Sequence, residues 1–255
     1  MKREELQQLF PDIYDYFKEA DEQHPFWKAV EEVESKDAKA GKTLLTDMEQ
    51  VFSSLHMVQG NEFIKDHIND IDTYEELMEL FTKLYVAYIY RTNGVRMVRD
   101  VYGYDVEMEI ADQLLVMGIV TFHDFRAPRL QFAEKIGDEV EHLKIMQETA
   151  PEDRDELDDE IDAFIEKLKT HAQTLKEHPK AKHQVIASIS KYHGLPEEFE
   201  LARRIKERKA EMQEHFPHIA GVILVDPNPG SESAHFVPFH EGKEDLEQLL
   251  TKNNT

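Results

Sequence analysis

Histidine is the residue type in this chain best suited to binding a metal or moving a proton, and there are thirteen of them. His215 and His218 lie three apart, and His235 and His240 would converge with them if the last strands pair. No His-Glu-x-x-His pattern or acidic partner at ligand spacing accompanies them, so they read as hydrogen-bonded histidines around a Pro-rich turn. Ser188, Ser190 and Ser231 lack the Gly-x-Ser-x-Gly surroundings of an activated nucleophile. Gly41-Lys42-Thr43 has the ending of a phosphate-binding loop. The Gly required five residues earlier is Lys36, however, and polar helix rather than strand precedes it. Cysteine is absent, which removes thiolate nucleophiles, disulfides and Cys-ligated zinc. The acidic runs lack EF-hand spacing, so calcium is not indicated.

Charge narrows the partners. The 255 residues carry 53 acids against 30 bases, a formal net charge of −23. A field of that sign opposes non-specific binding to phosphate backbones, and it fits a solvated acidic surface, a high-salt interior, a basic partner or a nucleic-acid mimic. The charge is uneven. Residues 151–162 hold eight acids and one base, whereas residues 176–209 hold nine Lys or Arg against five Glu. Any nucleic-acid contact is therefore expected at Lys180, Lys182, Lys191, Arg203, Arg204, Lys206 and Arg208, with Lys176 and Lys209 at the margins. The opening MKREELQQLF is charged and amphipathic rather than a signal peptide. The longest mostly apolar run, 114–122, is too short to cross a bilayer, so a cytoplasmic protein without a membrane partner is expected.

The elements that must position these residues begin with helices. An apolar stripe over 2–20, Pro25 leading a second helix, and Thr46-Asp-Met-Glu49 as a capping box predict a helical region over 1–71 that ends its third helix at Gly60. A fourth helix starts at Asp72, is apolar around most of its girth near Leu84–Ile89, and stops at Asn93-Gly94. From Val95 the period becomes two. Strands are expected through Val95–Val101, Tyr104–Ile110 and the apolar segments 114–122, with a turn at Tyr102-Gly103. Helices are expected at about 129–148, 152–177, 182–192 and 197–214. Ala220–Asp226 then reads as a second β signal, His235–Phe239 as a weaker one, and 241–255 as a last helix and tail. The fold class is α+β with an α/β-like core: helix-rich, with a small mixed sheet flanked by helices.

The segment 80–94, followed by VRMVRDVYGYDVEMEI, ADQLLVMG and IVTFHDF, resembles the core of PD-(D/E)XK nuclease-like proteins, and AGVILVDP resembles their fourth strand. The resemblance implies a core over 72–240 with a helical insertion at about 127–196, and the Gly221–Asp226 strand parallel beside Ile119–Phe122. It also implies an Asp on the second strand and Glu-x-Lys on the third, holding a divalent cation that activates water for phosphodiester hydrolysis. Asp112 matches the second-strand acid. The third strand reads Val-Thr-Phe-His-Asp over 120–124, so His123 stands near the lysine's place and Thr121 near the glutamate's. Asp124-Phe-Arg126 is a substitute shifted by three. The helix glutamate falls on Lys83, with Glu79 one turn earlier. Glu109, three residues from Asp112, would face the other side of an extended strand.

One acid of three in place implies a degenerate site. The expectation is a non-catalytic, nuclease-fold-like protein that binds a macromolecular partner, protein or nucleic acid, and needs no cofactor. An active nuclease would instead use Asp112, His123, Asp124, Arg126 and Glu79, with Mg2+ on Asp112 and Asp124. A helical interaction or regulatory protein unrelated to nucleases is the alternative of a different class. On its own, Asp112 reads equally well as a turn residue.

Overall fold

In the computed structural model, the described residues are 2–36, 38–121, 154–189, 197–225, 234–240, 246–247 and 250. Helices α1 (Arg3–Leu9) and α2 (Pro11–Phe17) form where the sequence suggested one stripe. Pro11 denies Phe10 the α conformation, so Phe10 ends one helix and Pro11 occupies the first turn of the next. Helix α3 (Pro25–Lys36) starts at its proline as expected. Helix α4 (Ala38–Ser53) begins well before Thr46, so the expected capping box lies in a helix interior and Gly41-Lys42-Thr43 is helical too. Glu49 acts elsewhere instead: its two carboxylate oxygens accept from the Asp12 and Ile13 amides, both at 2.9 Å, and cap α2. Helix α5 (Asn61–Ile68) follows Gly60 and was not foreseen. Helix α6 (Tyr74–Ile89) opens on a reciprocal capping box, in which Thr73 accepts from the Glu76 amide and the Glu76 carboxylate from the Thr73 amide.

One six-stranded mixed sheet lies between two helical layers. Its strands run in chain order: β1 (Arg96–Met97), β2 (Val106–Ile110), β3 (Gln113–Thr121), β4 (His183–Ile189), β5 (Gly221–Val225) and β6 (Ala234–Pro238). The pairs β3–β4 and β4–β5 are parallel; the others are antiparallel. Helix α7 (Arg154–Thr174) precedes β4, and α8 (Glu197–Glu207) and α9 (Lys209–His215) precede β5. Alternation divides the core. Val106, Met108, Met117, Ile119, Val185, Ala187 and Ile223 face α6 and the N-terminal helices. Val116, Val120, Ile186, Val222 and Leu224 face Phe164, Ile165 and Leu168 of α7 and Ala202 and Ile205 of α8. The first cluster runs unbroken from Leu6 to the sheet, so the N-terminal helices share its core.

Two expectations are corrected here. Residues 183–189 form a strand, not a helix: Val185, Ile186 and Ala187 are all buried because both faces of β4 are covered. As a result β5 is parallel to β3 and in its sheet, but β4 stands between them. The chain is α+β and helix-rich as expected, with a larger sheet than the sequence suggested. No described helix is long and apolar enough to cross a membrane.

Candidate functional site

The three parallel strands end in register, Thr121 beside Ile189 and Ile189 beside Val225. Carboxyl ends of parallel strands are where open α/β sheets place their ligands, because the chain must leave the sheet there. Strand β2 covers β3 only as far as Met117, which is paired with Val106. Beyond that point the edge of β3 is left open, and a polar cluster fills the gap.

Asp105, the residue just before β2, holds this edge. Its Oδ2 accepts from the Ile119 amide at 2.7 Å, extending the ladder by one rung with a side chain in place of a backbone carbonyl. Its Oδ1 lies 2.8 Å from the Lys83 ammonium of α6. The Asp105 backbone is used as well, donating to Met117 and accepting from Val98, both at 2.9 Å. On the opposite face, His171 of α7 leans over Gly118. A Cβ at Gly118 would come within 2.9 Å of His171 Nε2 and 2.8 Å of a Leu175 methyl, so only glycine lets the ring sit there. That Nε2 is buried without a hydrogen-bond partner. Burial holds the His171 pKa below the ordinary imidazole value; Asp105 opposes the shift and Lys83 adds to it. His67 of α5 is lowered too, by burial and then by Lys83 and Arg99. Further along the same face of the sheet, Ser188 is fully buried and its hydroxyl has no partner.

The other end of the sheet carries a second cluster. Tyr104 donates its hydroxyl to Gln184 Oε1 at 2.8 Å, and the His178 amide donates to the same oxygen at 2.7 Å. His178 Nδ1 accepts from the Ala181 amide at 3.1 Å, so its proton sits on Nε2, which faces Asp100 at 3.7 Å. Asp100 Oδ1 accepts from the Tyr102 and Tyr104 amides. Gly103 between them has φ +91°, and a Cβ there would lie 2.8 Å from the Thr174 carbonyl, so this turn docks directly on the end of α7.

The residues singled out from sequence are dispersed. Asp112 is exposed in the β2–β3 turn, with φ 49° at Ala111 and 61° at Asp112, the signature of a two-residue hairpin. Nine residues of strand at ~3.3 Å each put it about 30 Å from Thr121. His123, Asp124, Arg126 and Lys191 lie outside the described residues. Glu79 is exposed on α6, and Glu109 is exposed on β2. Lys83, marked as the misfit for a helix glutamate, is the one that reaches the cluster. Asp105 went unnoticed, although its place at the entry to β2, beside the second half of β3, was the available signal. Of the basic residues, Lys180 and Lys182 flank the turn before β4, while Arg203, Arg204, Lys206 and Arg208 belong to α8 and the turn after it. Arg203 pairs with Glu207 and Arg208 with Asp162. His240 contacts the Phe216 carbonyl, and among the described residues no three His, Asp or Glu side chains form a group able to hold a metal ion.

Compared with protein-family models, curated proteins and solved structures, the chain matches none.

Proposed function

We propose that this protein is a non-catalytic scaffold on a PD-(D/E)XK nuclease-like core, and that it binds a protein partner bearing positive charge. The observation that carries the reading is the state of Asp105. A nuclease of this kind needs a second-strand carboxylate with free oxygens for a hard divalent cation. Both oxygens of Asp105 are engaged, one by Lys83 and one by the Ile119 amide. A magnesium ion would have to displace a cation already paired at 2.8 Å, and the described residues offer it no further carboxylate. The residues do not fit the ion.

The order of elements supports the scaffold half of the reading: helix α6, the meander β1–β2–β3, helix α7, then a strand parallel to β3, with α6 and α7 on opposite faces. The role once given to residues 221–225 passes to β4 in this reading. The net charge supports the partner half. At −23 a cationic protein surface is attracted and a phosphate backbone repelled, and two of the arginines considered for nucleic acid are occupied by acids.

The test is incubation with single- and double-stranded DNA and RNA in Mg2+ and in Mn2+. No cleavage is expected. Metal-dependent cleavage lost in Asp105→Asn or Asp112→Ala would overturn the scaffold reading. For the partner, fluorescence anisotropy should show a labelled oligolysine binding in low salt and releasing as salt rises, with a labelled DNA duplex failing to bind. Duplex binding stronger than oligolysine binding would replace the protein partner with nucleic acid.

A further inference from the structure

We propose that the Lys83 ammonium is the resident cation of the gap beside β3, and that it excludes divalent metal from a site the rest of the fold still outlines. This rests on the scaffold reading and deepens it, since it says why the site takes no metal. Three observations point the same way. Asp105 is held at the open edge by the Ile119 amide, so its carboxylate is fixed where it stands even without Lys83. Lys83 reaches that carboxylate across the edge from α6, at 2.8 Å, and a point charge there satisfies electrostatically what a metal would. On the other side of Gly118, His171 presents a buried imidazole nitrogen with no hydrogen-bond partner, a donor atom with nothing to donate to. Carboxylate oxygen and neutral imidazole together are ligands for Mn2+ or Zn2+ rather than for magnesium alone. One side chain therefore decides whether the place is an ion pair or a metal locus.

The experiment removes the ammonium and keeps the aliphatic stem. Lys83→Met, in the full chain, is titrated with Mn2+ and the free ion is followed by electron paramagnetic resonance, alongside the wild type and Lys83→Met/Asp105→Asn. The variant is expected to bind Mn2+ at least tenfold more tightly than the wild type, and the double variant to fall back to the wild-type level. Equal binding by wild type and Lys83→Met overturns the proposal, as does a gain that survives Asp105→Asn. Lys83→Gln, which keeps a polar end and drops the charge, repeats the test if the methionine variant does not fold. If Lys83→Met gains no metal while the wild type cleaves no nucleic acid, this inference fails and the scaffold reading stands. If the wild type cleaves, the scaffold reading fails regardless of what Lys83→Met binds.

Discussion

The two polar clusters at opposite ends of the sheet are built from similar residues and solved differently. Around Gln184, each donor meets an acceptor: the tyrosine hydroxyl, the His178 amide and the amides around Asp100 are all satisfied within a few ångströms. Around Asp105, a carboxylate and an ammonium satisfy one another, while a buried imidazole nitrogen and a buried hydroxyl go without. A folded chain tolerates orphaned polar atoms at a cost of about 1–3 kcal/mol each, so where they gather, something other than stability has shaped the position. The first cluster is therefore a clamp that seats the β1–β2 turn and the turn before β4 on the end of α7. The second is a place with unspent bonding capacity.

The largest effect expected from this contrast is at the clamp. Gln184→Leu keeps roughly the same volume but strands the Tyr104 hydroxyl and the His178 amide in an interior where Gln184 is only 7% exposed. Urea unfolding should show a loss of about 2–4 kcal/mol, the sum of two desolvated donors. Tyr104→Phe in that background should then cost little, because the hydroxyl no longer has an acceptor to lose. Additive losses in the double variant would show the network is not shared and would break the comparison.

The same cluster sets the alkaline limit. Tyr104 has its pKa raised, by burial first and then by Asp100 and Glu177, and Tyr90 is raised by burial alone. Because the folded values exceed the unfolded ones, the folded state keeps protons that the unfolded state gives up above its ordinary tyrosine value near 10. Stability should thus be level below about pH 9.5 and fall beyond pH 10 by about 1.4 kcal/mol per pH unit for each tyrosine. Tyr90→Phe should remove one share of that slope without cost at neutral pH, since the Tyr90 hydroxyl is buried without a partner. An unchanged slope in both Tyr→Phe variants would assign the alkaline transition to other groups.

How much of this could be read from the sequence follows from how local each cause is. The capping box at α6 was legible to within one residue, because Thr73 and Glu76 act on each other's backbones within a single turn. The box at Thr46 had the same letters and meant nothing, since α4 starts at Ala38 for reasons of packing. Strand β4 was misread as a helix because a short apolar run buried on both faces carries no period of either kind. Lys83 stood out as a wrong residue for a metal site, yet its partner was sought on β3 rather than in front of β2. Asp105 is 22 residues away along the chain, and only the point where β2 stops on β3 brings them together. Asp112 was chosen for its place between two apolar stretches, and a tight hairpin explains that place fully.

The smallest effect is the one that separates the clusters most cleanly. Ser188 is as buried as Gln184, also on β4 and on the same face of the sheet, but its hydroxyl has no partner. If the carboxyl end of the parallel strands tolerates orphaned groups for a purpose, deleting this one should relieve a cost rather than add one. Removing a partnerless hydroxyl recovers its desolvation penalty, and the void left by one oxygen atom is too small to offset much of that. Ser188→Ala should therefore be neutral or more stable by up to about 1 kcal/mol in urea, the opposite sign from Gln184→Leu on the same strand. A loss of more than about 1 kcal/mol would mean that the hydroxyl is bonded in solution. The contrast between a closed end and an open end of the sheet would then rest on His171 alone.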